Sequence, residues 1–133
     1  MMLATVTGIG TDIGIDGALP RGEKLLAISN AIVHLHKLHF GKGPTKARTY
    51  YDGDVITCVL SDVYTRAEHT LLAHGRADMV LRQRYELQEA VREEFVGVVE
   101  QITGRTVIGF FSGNQAEPDL SVEVFVLEPQ DGT

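Results

Sequence analysis

From residue 23 to 40, Leu25, Ile28, Ile32, Leu35 and His39 recur at spacings of three and four, which puts them on one side of a helix. Pro20 and Gly22 precede this run, and Gly41 follows it as a stop able to take a positive φ. The period then changes to two. KARTYY and DVITCVLS flank Asp52-Gly53, which predicts a hairpin over 46–61. Thr65-Arg66-Ala67-Glu68 is a capping box that opens a helix over 65–74, closed by Gly75. A single long helix is expected over 77–103. Its core stripe of Val80, Leu87, Val91, Phe95, Val98 and Ile102 falls within about 80° on a helical wheel.

Glu86, Glu89, Glu93 and Glu100 take the opposite side of that helix and read as a solvated face. The last third predicts a second hairpin over 106–127, with Leu120, Val122, Val124 and Val126 on one face of its final strand. Ser121, Glu123, Phe125 and Leu127 share the other face. Helix, hairpin, helix pair and hairpin in this order give an α+β fold: a mainly antiparallel sheet with helices packed on it. Residues 21–129 are expected to form the single domain, with 1–20 as a flexible N-terminal tail and 130–133 as a C-terminal one. A short strand is considered around Leu3–Thr7 within that first tail.

Composition agrees with a globular domain: 44% of the 133 residues are hydrophobic and 23% charged. The single cysteine excludes an intrachain disulfide and suits a reducing compartment. No apolar run reaches the roughly 18–20 residues needed to cross a bilayer. With no Lys or Arg before Arg21, the first residues do not read as a signal peptide. A cytoplasmic location is therefore expected.

The net charge of −6 is uneven: residues 1–66 carry seven basic against six acidic residues, and 67–133 carry five against twelve. A polyanion partner would need a local basic patch. One exists. Between Lys24 and Tyr51 there are five basic residues and no acidic one. In the loop 41–48, Lys42, Gly43, Thr45, Lys46 and Arg48 are the candidate ligand-binding residues. The glycines admit close approach, and the three cations can converge on an anion. The spacing is not that of a phosphate-binding P-loop.

Other chemistry is sparse. His34 points away from His36 and His39 on the helix, so no metal site is expected there. Cys58 reads as a small core residue, Ser112 lies in no nucleophile motif, and no catalytic residue or cofactor is assigned. Glu117 and Asp119 flank Pro118 and form a candidate loop site, against the plainer reading of a solvated turn. Leu81, Tyr85, Val96 and Val99 add an apolar flank to the long helix. A helix of roughly 27 residues is about 40 Å long, more than a domain this size can cover, so this flank is the expected homodimer interface.

The segments GEKLLAISNAIVHLHKLHFGKGPTKART, EHTLLAHGRADMVLRQRYELQEAVREEFVGVVEQITGRTVIGFFS and EPDLSVEVFVLE resemble the MpsC-like family over about residues 22–128. Gly41–Arg48, Thr103-Gly104-Arg105 and Glu117-Pro118-Asp119 carry the likeness most specifically. The resemblance implies a bacterial cytoplasmic accessory protein, a subunit of a membrane transport complex linked to cation or bicarbonate handling. It supplies no catalytic residues. The expected function is thus a non-enzymatic binding protein with the basic loop as its anion or partner site. The alternative is a nucleic-acid-binding module that uses the same loop, with Tyr50 or Tyr51 stacking on bases.

Overall fold

In the computed structural model, residues 2–7 and 20–130 are described, with side chains from 20 onward. The chain runs β1 (Met2–Thr7), α1 (Arg21–Phe40), β2 (Lys46–Asp52), β3 (Val55–Ser61) and α2 (Arg66–Ala73). It continues α3 (Ala77–Ala90), α4 (Arg92–Thr103), β4 (Val107–Gln115) and β5 (Leu120–Leu127). The strands form one antiparallel sheet in the order β1-β2-β3-β5-β4. The fold is α+β. The strand considered near the N-terminus is present as β1, paired along its length with β2, so residues 2–7 belong to the sheet. The rest of the expected N-terminal tail up to residue 19, and the last three residues, lie outside the described residues.

Local signals act as the sequence predicts. Thr65 accepts a hydrogen bond from the Glu68 amide at 3.1 Å, and the Glu68 carboxylate accepts one from the Thr65 amide at 2.9 Å, completing the capping box. Gly41 and Gly104 close α1 and α4 at φ 84° and 69°, a region costly for any residue with a Cβ. The first hairpin turns at Gly53-Asp54, because Asp52 still pairs with Val55.

The single long helix is corrected. Val91 leaves helical geometry at φ −107° and ψ 12°, which divides the stretch into α3 and α4. The buried positions are Val80, Arg84 and Gln88 in α3, then Phe95, Val99, Ile102 and Thr103 in α4. Leu87, Val91 and Val98 are only half-buried. The buried stripe therefore lies about 40° round from the apolar positions, since Arg84 and Gln88 take core places.

The helices lie on one face of the sheet. The Ser29 hydroxyl of α1 meets the Thr49 hydroxyl of β2, so Ala47, Thr49 and Tyr51 face inward. Strand alternation then sends Lys46, Arg48 and Tyr50 to the open face. On β5 the inward set is Ser121, Glu123, Phe125 and Leu127, all buried. α1 is buried nearly all round because it lies on β1 and β2 and also packs against α4.

Candidate functional site

The basic loop divides its cations instead of gathering them. Gly41 ends α1, and the Lys42 ammonium turns to Asp62, donating to its backbone carbonyl and lying 3.2 Å from Oδ1. Gly43 sits against Val33 and Lys37, where an added Cβ would meet the Val33 carbonyl oxygen and Lys37 Cβ at 3.4 Å. The Thr45 amide donates to the Ser61 carbonyl at 3.1 Å, which aligns the loop's exit with β3. Lys46 is exposed and Arg48 half-buried at the open face. Neither has an ion-pair partner among the described residues.

The Glu117 and Asp119 pair also separates. Glu117 is exposed. Asp119 faces the β3–α2 linker, where its carboxylate accepts from the Val63 amide at 2.8 Å and the Tyr64 amide at 3.2 Å. His69 Nε2 lies 3.5 Å from it. Asp62, His69 and Asp119 bring one ligand atom each within 4.8 Å of one another, a set able to hold a cation. The Lys42 ammonium already supplies positive charge at Asp62.

Beneath that linker lies a buried network that sequence reasoning missed. Arg84 is 1% exposed in α3. Its guanidinium donates through Nε to Glu68 Oε2 at 2.8 Å, and through Nη2 to Glu68 Oε1 at 2.5 Å and to the Val63 carbonyl at 2.8 Å. It also lies over the Phe40 and Tyr64 rings. Burial opposes ionisation of Glu68, but hydrogen bonds from Arg84 and the Thr65 amide outweigh it and hold the carboxyl below its ordinary range. Further in, His36 Nε2 is 3.2 Å from Glu123 Oε1, with both side chains almost fully enclosed. Burial, with the Arg84 charge adding to it, lowers the His36 pKa to about 3. Burial alone raises the Glu123 carboxyl well above its usual value. Cys58, next to Glu123 in register, is pushed up to about 12 by burial, so its thiol is a poor nucleophile at neutral pH.

The other histidines are dispersed. His34 is exposed, and His39 bonds Glu94 at 2.9 Å. His36 and His39 thus face different carboxylates. Of the expected dimer flank, Val99 is fully buried in the core, Leu81 and Val96 are half-buried, and Tyr85 is 57% exposed. Val99 is therefore a core residue of the single chain, not an interface residue.

Arg105 explains the Thr103-Gly104-Arg105 motif. After the Gly104 stop, its guanidinium donates to the Tyr51 hydroxyl at 3.0 Å, the Gly53 carbonyl at 3.2 Å, Asp54 Oδ1 at 2.6 Å and the Glu128 carbonyl at 2.9 Å. It ties the first hairpin's turn to the end of β5. Arg105→Ala is expected to lower stability by about 1–3 kcal/mol in urea unfolding. An unchanged midpoint would show that these bonds are replaced by water without loss.

The architecture defines a class: an α+β domain whose helices cover one face of an antiparallel sheet. No helix among the described residues is long and apolar enough to cross a membrane. The chain belongs to the MpsC family, described as the Na+-translocating membrane potential-generating system, which matches residues 21–129. No curated protein and no solved structure matches the chain. Each of the three motifs that carry the family likeness most specifically contains a residue that fastens a turn or linker: Lys42, Arg105 and Asp119. Arg84 was hidden because it stands four residues after Val80 in a stretch that reads as an ordinary charged helix.

Proposed function

We propose that this chain is a non-enzymatic accessory subunit that works in the bacterial cytoplasm by binding the membrane-embedded part of a cation-translocating system. The observation that carries this reading is the family match, which spans all four helices and four of the five strands. With no membrane-crossing helix among the described residues, such a subunit reaches its system by docking on a partner protein. The basic loop is the docking element. Lys37, whose Cβ packs against Gly43, and Lys46, three residues beyond Gly43, are both exposed, and they give an otherwise acidic protein cations around this loop for an acidic partner.

An affinity-tagged chain isolated from its native cells in mild detergent is expected to bring down a membrane-embedded transport subunit. The double variant Lys37→Gln and Lys46→Gln should lose that partner. Its thermal midpoint should stay nearly unchanged, because exposed charges contribute about 0–1 kcal/mol each. Lys42 is left intact in this experiment, since it holds Asp62. Recovery of RNA, or of no membrane protein at all, would overturn the proposal.

A further inference from the structure

The open face of the sheet reads as a covered surface. An antiparallel sheet with one face in water alternates apolar inward and polar outward. β5 departs from this, with Ser121 and Glu123 inward beside Phe125 and Leu127, and an outward set of Leu120, Val122, Val124 and Val126 that is apolar throughout. Register extends this pattern sideways. One outward row runs Tyr50, Thr57, Val124, Phe111, and the next runs Arg48, Val59, Val122, Gly113. Across β3, β5 and β4 the outward positions hold no Asp, Glu, Lys or Arg, although the chain has 12 basic and 18 acidic residues in 133. Phe111 stands 63% exposed on this face, on the edge strand β4.

We propose that this face is covered by the same face of a second copy, forming a twofold sheet-on-sheet dimer. The face is its own complement. Phe111 is a knob, and two residues along the same strand Gly113 leaves a depression of about 320 Å3 lined by Val59, Leu120 and Val122, with Asn114, Gln115 and Ser121 at its polar end. A twofold axis lying across the strands, midway between the two rows, places each row on the other. Phe111 then enters the depression at Gly113 of the second copy, and Val124 meets Val122. Tyr50 presents its ring to the guanidinium of Arg48, a favourable pairing. Moving the axis onto the second row would set Arg48 against Arg48, so charge selects the first register. Four strands about 4.8 Å apart and seven residues long at about 3.4 Å each span roughly 450 Å2 in projection. Side-chain relief brings this toward the about 800 Å2 per partner of a standard interface.

Light scattering on the purified chain at micromolar concentration is expected to give twice the 14.6 kDa chain mass. Phe111→Asp should weaken association by about 100-fold or more and yield monomer. Gly113→Val supplies a second variant that the single chain tolerates, because a Cβ there meets only Val122 Cγ1 at an ordinary 3.5 Å. It fills the depression and should also give monomer, with circular dichroism unchanged. Tyr85→Asp, on α3, should remain dimeric. A monomeric wild type, a Gly113→Val protein that still dimerises, or dissociation by Tyr85→Asp would each overturn the proposal.

Discussion

Arg84→Met is expected to lower the free energy of unfolding by about 3–5 kcal/mol, the usual result of removing one partner from a buried ion pair. The methionine keeps most of the arginine's length against Phe40 and Tyr64, so the loss reports mainly on charge and hydrogen bonding. The Glu68 carboxylate would stay enclosed with only the Thr65 amide to bond it, and the Val63 carbonyl would lose its donor. Adding Glu68→Gln should restore a large part of the loss, because no uncompensated charge then remains inside. The pH dependence has a definite sign. Glu68 is held below 4.5 in the folded chain, so its contribution is present above that value and is lost as pH falls through the folded pKa. The gap between wild type and Arg84→Met should therefore narrow in acid. Urea unfolding at neutral and acidic pH tests this, and an equal midpoint for wild type and Arg84→Met at neutral pH would refute it.

The second large effect belongs to His36 and Glu123. In the folded chain this enclosed pair keeps one proton across a wide range, whether it rests on the carboxyl or on the imidazole. Unfolded, the two groups hold two protons below 4.5, one between 4.5 and 6.5, and none above. Glu123, with its pKa raised on folding, favours the fold at low pH and loses that contribution as pH climbs. His36, with its pKa lowered, favours the fold at high pH and loses its contribution as pH drops below 6.5. Their sum is a plateau between 4.5 and 6.5, and stability above 6.5 should fall by up to about 1.4 kcal/mol per pH unit. Glu123→Gln removes the alkaline fall and leaves His36 alone, so the variant's stability should be flat above 6.5 and decline below it. Parallel wild-type and variant profiles would show that the pair does not titrate as a unit.

Most of the architecture was legible in the sequence because its punctuation is local. Glycine stops and a capping box act within a few residues and placed α1 and α2 closely, and the Asp-Gly signal placed the first hairpin to within one residue of its Gly53-Asp54 turn. The break at Val91 was not legible, because an interior valine carries no stop signal. Nor was the inward turn of Arg84 and Glu123. Whether such a residue faces water or core depends on partners far along the chain, here Glu68 and His36. The basic loop was read correctly as basic, yet Lys42 finds its carboxylate 20 residues away, across a contact that no spacing rule encodes.

The linker from Ser61 to Thr65 shows what such distant contacts mean for how the chain reaches its native state. Its first residues are fastened by Lys42, its amides at Val63 and Tyr64 by Asp119, and its Val63 carbonyl by Arg84. Those amide bonds join positions 56 and 55 residues apart. The segment therefore has no stable arrangement of its own until the first helix, the middle helices and the last hairpin have all come together. Contacts of this sequence separation incur their loop-closure entropy before they return any stabilisation. The junction between the two halves of the domain is therefore expected to close late in folding, after the elements it joins are in place.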